Sequence, residues 1–215
     1  MTATPKGLYC AAGGFYIDPT RKVDKAIITH AHSDHCRRGH KHYLCSAPGR
    51  GVLAARVQKD ANIETLNYGE KITMGDVQVS LHPAGHILGS AQVRVQAIAG
   101  EHQGETWVAS GDYIPGGGNP TCTAFEPVRC DVFITESTFA LPIYQWRPPE
   151  EVFTSINQWW QQNRQDGVAS VIFAYSLGKA QRLLASVDRS IGPIFTHKAV
   201  MPFVDLYKQE GVDLP

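Results

Sequence analysis

Two hundred and fifteen residues, 43% apolar and 19% charged, suffice for a packed core in one large domain, or one domain and part of another, and argue against disorder. Twenty basic and twenty acidic side chains give a formal net charge of zero, which excludes holding a polyanion by bulk basicity. The charge is uneven: residues 1–50 carry 8 basic and 3 acidic side chains, residues 101–150 carry 2 and 7, so a polyanion would be gripped locally, by a patch or by bound metal.

In chain order, Gly14 to Asp18 reads as a short strand ending in an acid, and Lys25 to His30 as a second, buried strand, an apolar run too short for a helix. A polar, histidine-rich turn follows to Gly39. Val52 to Val57 suggests a helix after the Pro48-Gly49 turn. Lys71 to Met74 and Val77 to Leu81 flank Gly75-Asp76 as a hairpin. Ala91 to Gln96 alternates in strand fashion, Thr106 to Ser110 follows a glycine-containing turn, and Asp131 to Thr135 reads as another buried strand. Beyond residue 145 the rhythm changes. Pro148-Pro149 opens a run with Val152, Phe153, Ile156, Trp159 and Trp160 at helical spacing, the two tryptophans read as core, and Gly167 closes it. Val168 to Tyr175 is expected as a buried strand, Leu177 to Val187 as a helix, Ile194-Phe195 as a short strand and Pro202 to Glu210 as a last helix. Helix–strand alternation predicts a parallel, doubly wound unit. The expected division is 1–140, strand-rich and metal-binding, and 141–215.

No run reaches the ~20 apolar residues of a membrane helix, and Met1 to Gly7 has no hydrophobic signal core. Five cysteines without a CxxC pair read as reduced thiols of a cytoplasmic protein. Seven of the nine histidines fall between positions 30 and 86, and the chemistry is expected there. Thr29-His30-Ala-His32-Ser-Asp34-His35 runs off a strand into HxHxDH. His30 and His32 can share one ion, while Asp34 and His35 point to a second. Imidazole and carboxylate without thiolate suit zinc, manganese or iron. His86 lies between two glycines after the hairpin, and Asp112 ends a later strand, where a carboxylate can bridge two cations. Asp18 ends the strand beside the one leading to His30 and can orient ligand imidazoles. Singly, each reads more readily as a capping acid or a satisfied histidine; together they indicate a dinuclear site.

These residues, Asp18, the His30–His35 motif, His86 and Asp112, match in order the first four motifs of the metallo-β-lactamase superfamily. Thr135-Glu136-Ser137-Thr138-Phe139 resembles the first motif of its β-CASP nucleic-acid-processing branch, and Ala174 to Gln181 resembles the strand-to-helix segment of the β-CASP cap. Within that branch, Gly7 to Cys10, Gly13 to Asp18, Phe125 to Asp131 and Gly178 to Leu184 look closest to bacterial ligase-associated DNA exonucleases, often labelled mRNA 3′-end processing factor-like. The resemblance implies an αββα metallo-β-lactamase sandwich in residues 1–140, followed by the start of a Rossmann-like β-CASP cap in 141–215. It implies two divalent ions, zinc with manganese as the alternative, and a DNA or RNA substrate, with association to a DNA ligase and a helicase. Two later histidine motifs of the family, a proposed proton donor and a ligand of the second metal, have no match here. The expectation is therefore an N-terminal portion of a longer nuclease, retaining roughly one tight metal and feeble activity.

The expected chemistry is phosphodiester hydrolysis, in DNA repair. His30, His32 and His86 hold one ion, Asp34 and His35 the other, and Asp112 bridges. Asp34 additionally accepts a hydrogen bond from the nucleophile. By resemblance, Glu136 orients the absent proton-donating histidine; read alone, it is a capping acid. Lys179, behind Gly178 at a helix start, and Arg37 and Arg38, beside the metal loop, can meet substrate phosphates or lie in solvent. The rival readings are an RNA-processing nuclease of the same branch, a small-molecule metallohydrolase of lactams or thioesters, and a non-catalytic fragment that binds metal or nucleic acid.

Overall fold

The computed structural model describes residues 1–58 and 60–215, in two compact units, Met1–Glu136 and Ser137–Pro215. The first is built on two sheets. Strands β1 (Thr2–Thr4), β2 (Gly7–Cys10), β3 (Phe15–Ile17), β4 (Lys25–Ile27), β5 (His42–Ser46) and β6 (Ile63–Leu66) form one sheet in that spatial order. The pairs from β1 to β3 are antiparallel and those from β3 to β6 parallel. A 3-10 turn, Ala47–Gly49, and helix α1, Arg50–Arg56, connect β5 to β6. The other sheet comprises β7 (Lys71–Met74), β8 (Val77–Pro83), β9 (Ala91–Ala97), β10 (Thr106–Ala109) and β11 (Val132–Ile134), in the order β11-β10-β9-β8-β7. Only the β10–β11 pair is parallel within it.

The period-2 alternation of the strands explains how the sheets meet. Val77, Val79 and Leu81 of β8 share one face with Val93 and Val95 of β9, and these pack on Phe15, Ile17, Ile27 and Leu44 of the first sheet in one buried cluster. Burial of such side chains stabilises by about 1.5–3 kcal/mol each. The result is a mixed α/β sandwich of two stacked sheets.

Topology places the polar loops together. Because β3, β4 and β5 are parallel, their C-terminal ends lie on one edge, and Asp18 and the histidine-rich turn leave from there. In the other sheet β8, β10 and β11 share a direction, so His86, Asp112 and Glu136 also leave from one edge. The backbone N–H of Ala91 donates to the Thr29 carbonyl at 2.8 Å, which ties the two edges to each other. Ligand sites lie at such strand ends in sheets of this kind.

Several expected elements differ. The Lys25–His30 strand ends at Ile27, freeing Thr29 and His30 for the loop. β11 is an edge strand rather than a buried one, and Phe133 is 41% exposed.

The second unit consists of α2 (Pro149–Gln165), α3 (Lys179–Ser186) and α4 (Met201–Gln209). Its buried residues are Leu177, Gly178, Ala180, Gln181 and Leu184 around α3, Ile191, Phe203, Val204 and Tyr207 on and before α4, and Leu214. The expected strands at 168–175 and 194–195 are absent: those residues join no ladder among the described residues. A parallel strand requires a hydrogen-bonded neighbour and cover on both faces, whereas Val171, Phe173 and Phe195 are 67%, 95% and 90% exposed. Trp159, expected as core, is exposed, and no residue of α2 is buried.

Candidate metal centre

The turn after β4 is shaped by local hydrogen bonds. His35 and Cys36 both donate their backbone N–H to the His32 carbonyl, at 3.1 and 3.0 Å, so the loop curls and turns His30, His32 and His35 towards one place. The centroid of the His30 ring lies 4.8 Å from that of His32, 4.1 Å from His35 and 5.0 Å from His86. The loop's far end is fastened by Tyr43, whose hydroxyl donates to the Arg37 carbonyl at 2.9 Å and accepts the His40 N–H at 3.1 Å.

His86 arrives from the opposite sheet on the tight loop after β8. Ser90 Oγ accepts the backbone N–H of His86 at 3.0 Å and of Ile87 at 3.2 Å, and Asn119 Nδ2 donates to the His86 carbonyl at 2.8 Å. One ligand atom each from His30, His32, His86 and Asp112 lies within 4.8 Å of the others. His32 Nδ1 is 3.1 Å from His30 Nε2 and 3.2 Å from His86 Nε2. Asp112 Oδ2 stands 3.7 Å from both His30 Nε2 and His86 Nε2. The other oxygen, Oδ1, is 3.2 Å from His35 Nε2, which is 3.8 Å from Asp34 Oδ2. Asp34 is 76% exposed on its side chain.

Asp18 sits behind the histidines. Its Oδ1 accepts the Thr29 N–H at 2.8 Å, and its Oδ2 accepts the Thr29 hydroxyl at 2.5 Å and His35 Nδ1 at 2.8 Å. Asp18 is the one non-glycine with positive φ, +43°, among the described residues, a conformation aspartate tolerates better than most residues.

The electrostatics follow from burial and from these carboxylates. Burial, then the charges of His35, His86 and His32, hold the His30 imidazole well below its ordinary value. Burial also opposes a charge on His35, but hydrogen bonds and charges from Asp112 and Asp18 outweigh it and carry that imidazole up to about 10. The hydrogen bond from His35 lowers the Asp112 carboxyl. Cys36, beside His35, is pushed up to about 11 by burial and stays a thiol, so the donor set is imidazole and carboxylate. That set, with four donor atoms converging from three loops, fits a divalent first-row ion.

The remaining expected residues are placed as follows. Glu136 follows β11 beside the Asp112 strand, where the Thr135 hydroxyl donates to Tyr113 Oη at 3.2 Å. Arg37 is exposed, and Arg38 Nε donates to the Arg56 carbonyl at the end of α1, 3.1 Å away. Lys179 belongs to the second unit, its ammonium 5.1 Å from the centre of the Tyr175 ring. Sequence reasoning missed Ser90, Asn119, Tyr113 and Thr29, which hold the ligand loops rather than supply ligands.

His40 gives the loop a pH dependence of its own. It is buried, its Nδ1 accepts the Val23 N–H at 3.2 Å, and its Nε2 has no hydrogen-bond partner among the described residues. Burial holds its pKa below the ordinary value. The unfolded chain, with histidine near 6.5, takes up a proton that the folded chain refuses. His40 therefore costs stability as pH falls below about 6.5. In His40→Asn, where an amide oxygen replaces Nδ1 as acceptor, the drop in urea midpoint between pH 7.5 and 5 should shrink; parallel curves for variant and parent would contradict this.

No family model matches the chain. A protein named "Probable DNA ligase" from Opitutus terrae is 33% identical over 211 residues, covering 97% of this chain and 20% of that protein. An "RNase J-like protein" from Methanocaldococcus jannaschii is 24% identical over 216 residues, covering 87% of this chain and 50% of its own length. "Cleavage and polyadenylation specificity factor 73" from Drosophila melanogaster is 33% identical over 138 residues, covering 63% of this chain and 19% of that protein. The chain thus spans half or less of each of these relatives.

Proposed function

We propose that this chain, which belongs to the β-CASP branch of the metallo-β-lactamase superfamily, carries the metal centre of a nuclease that hydrolyses phosphodiester bonds in DNA from an end. One observation carries the reading: the two oxygens of Asp112 face two different donor groups, Oδ2 towards His30 and His86, Oδ1 towards His35. On this reading His30, His32, His86 and Asp112 hold one divalent ion, and Asp34, His35 and Asp112 the other. When bound, such ions supply Lewis acidity and make water nucleophilic near neutral pH. Zinc suits the donor set, with manganese as the alternative.

The chain's own groups do the rest. Asp34, exposed at the rim, accepts a hydrogen bond from the attacking water. Arg37 meets substrate phosphate from solvent, and Arg38, fixed through Nε to Arg56, meets it with what remains of its guanidinium fork. Lys179, at the start of α3 behind Gly178, meets phosphate within the second unit. On the same reading Glu136, leaving its strand beside Asp112, orients a proton-donating histidine that is not among this chain's own groups. A DNA substrate is favoured over RNA because the relative matched over 97% of the chain at 33% identity is named for DNA joining, whereas the RNase J-like protein is 24% identical and the polyadenylation factor matches 63%. On this reading the chain works in repair alongside a ligase and a helicase, as the family resemblance implies.

The test sets end-labelled single-stranded DNA, RNA of the same sequence and a chromogenic lactam against the zinc- or manganese-loaded protein. Slow, chelator-sensitive release of mononucleotides from DNA is expected, absent in His30→Ala. Turnover of the lactam without DNA cleavage, or cleavage that survives His30→Ala, would overturn the proposal.

A further inference from the structure

Thr29 lies between Asp18 and His30 and coordinates nothing itself. Its hydroxyl has one proton to give. Asp18 Oδ2 stands 2.5 Å away and His30 Nδ1 3.1 Å away. A carboxylate at the shorter distance takes that proton, since bonds to ionised acceptors are shorter and stronger. The lone pairs of Oγ1 are then what faces His30, so Nδ1 must carry the imidazole hydrogen. This leaves His30 Nε2, the atom turned towards His32 and Asp112, with a free lone pair.

The same Asp18 oxygen accepts His35 Nδ1 at 2.8 Å, so His35 Nε2 is likewise the atom presented to Asp112 and Asp34. One carboxylate therefore fixes two imidazoles, His35 directly and His30 through the threonine hydroxyl. We propose that Thr29 is a positioning residue that relays Asp18 to His30 and locks the tautomer in which Nε2 is the metal-binding nitrogen.

The surroundings leave the hydroxyl no other orientation to serve. Thr29 is 1% exposed, and its N–H and carbonyl are committed to Asp18 and Ala91. Gly111, one residue before Asp112, presses a bare Cα against it. A Cβ there would lie 2.6 Å from both Thr29 Cβ and Oγ1, and the backbone at φ +56° disfavours a side chain in any case. The approach of the Asp112 loop thus depends on the same side chain that sets His30.

The inference rests on the proposed metal centre, but its first test does not. In the metal-free protein, nitrogen-15 imidazole spectra should show His30 as the Nδ1–H tautomer. Thr29→Val, of matching shape without the hydroxyl, should populate the other tautomer, and Thr29→Ser should restore the parent spectrum. In cobalt titrations against a chelator, Thr29→Val should hold the ion roughly 10–100-fold more weakly with a shifted absorption band, while Thr29→Ser behaves as the parent. A parent protein that binds no cobalt would remove the metal centre and leave the tautomer result to stand or fall alone. A Thr29→Val protein with the parent's tautomer and the parent's affinity would overturn the relay.

Discussion

Asp112→Asn is expected to lose metal and hydrolysis together. The carboxylate serves both donor groups, one oxygen each, and an amide keeps one weaker acceptor and turns an NH2 towards the other group. Displacing a residue that merely supports a metal ligand costs about 10–100-fold in affinity or activity, and loss of a shared ligand should exceed that range. The same substitution has a signature without metal. His35 is carried up to about 10 with Asp112 as its first supporting partner. With a folded pKa above the unfolded value near 6.5, this pairing contributes stability fully present below pH 6.5 and lost as pH rises through about 10. With the Asp112 charge removed, that loss should begin at lower pH. Elemental analysis after dialysis, with urea midpoints from pH 6 to 10 in chelator, reads both effects. A variant that keeps its metal and the parent's pH curve would falsify the assignment.

The parts of the fold legible in the sequence are those where a strand states its own environment. The β7–β8 hairpin was readable because Lys71–Met74 and Val77–Leu81 alternate across Gly75-Asp76. β9 was readable for the same reason. By contrast, β1, Thr2–Thr4, has no buried face to betray it and exists by its register with β2. β5, His42–Ser46, buries four of its five residues yet holds only two large apolar side chains, and it lay hidden behind the basic turn before it. In the second unit the inference failed the other way. Val168–Tyr175 has a strand's composition, but composition supplies no pairing partner, and the exposed Phe173 shows that an apolar run is not by itself a core strand.

The side chains of the candidate metal centre stand out in the sequence for a different reason. Histidine and aspartate are unusual at successive strand ends, so HxHxDH, His86 and Asp112 stand out before any fold is known. The residues that aim them do not. Ser90, Thr29 and Asn119 are common types, and their roles depend on contacts across the fold: Asn119 meets His86 from 33 residues away, and Thr29 meets Asp18 from 11. Arg38 stands out as a cation beside the histidine loop, but the hydrogen bond that ties its Nε to the end of α1 does not. Ligand identity is written in residue type, whereas ligand orientation is written in tertiary hydrogen bonds.

The position of His86 is set by a backbone contact, and this makes Gly89→Ala the most disruptive substitution expected near the site. A Cβ at Gly89 would lie 2.1 Å from Gly49 Cα and 2.3 Å from Gly49 N, with φ at +74°. Both opposing atoms are backbone, so no flexible side chain can yield. Ser46 Oγ already donates to the Gly89 carbonyl at 2.5 Å, which holds the two segments together. Moving them apart strains that bond and the Ser90 hydroxyl that accepts the His86 and Ile87 N–H groups. A loss of about 2–5 kcal/mol is expected, a fall in melting temperature of roughly 10 °C, together with weaker metal retention because His86 shifts. Gly100→Ala separates the causes, since Gly100 has φ +81° but nothing within 4 Å of its Cβ position. It should cost only the conformational strain, about 1 kcal/mol, and leave metal binding intact. Equal melting temperatures for the two variants would mean that the Gly49–Gly89 approach does not hold His86 in place.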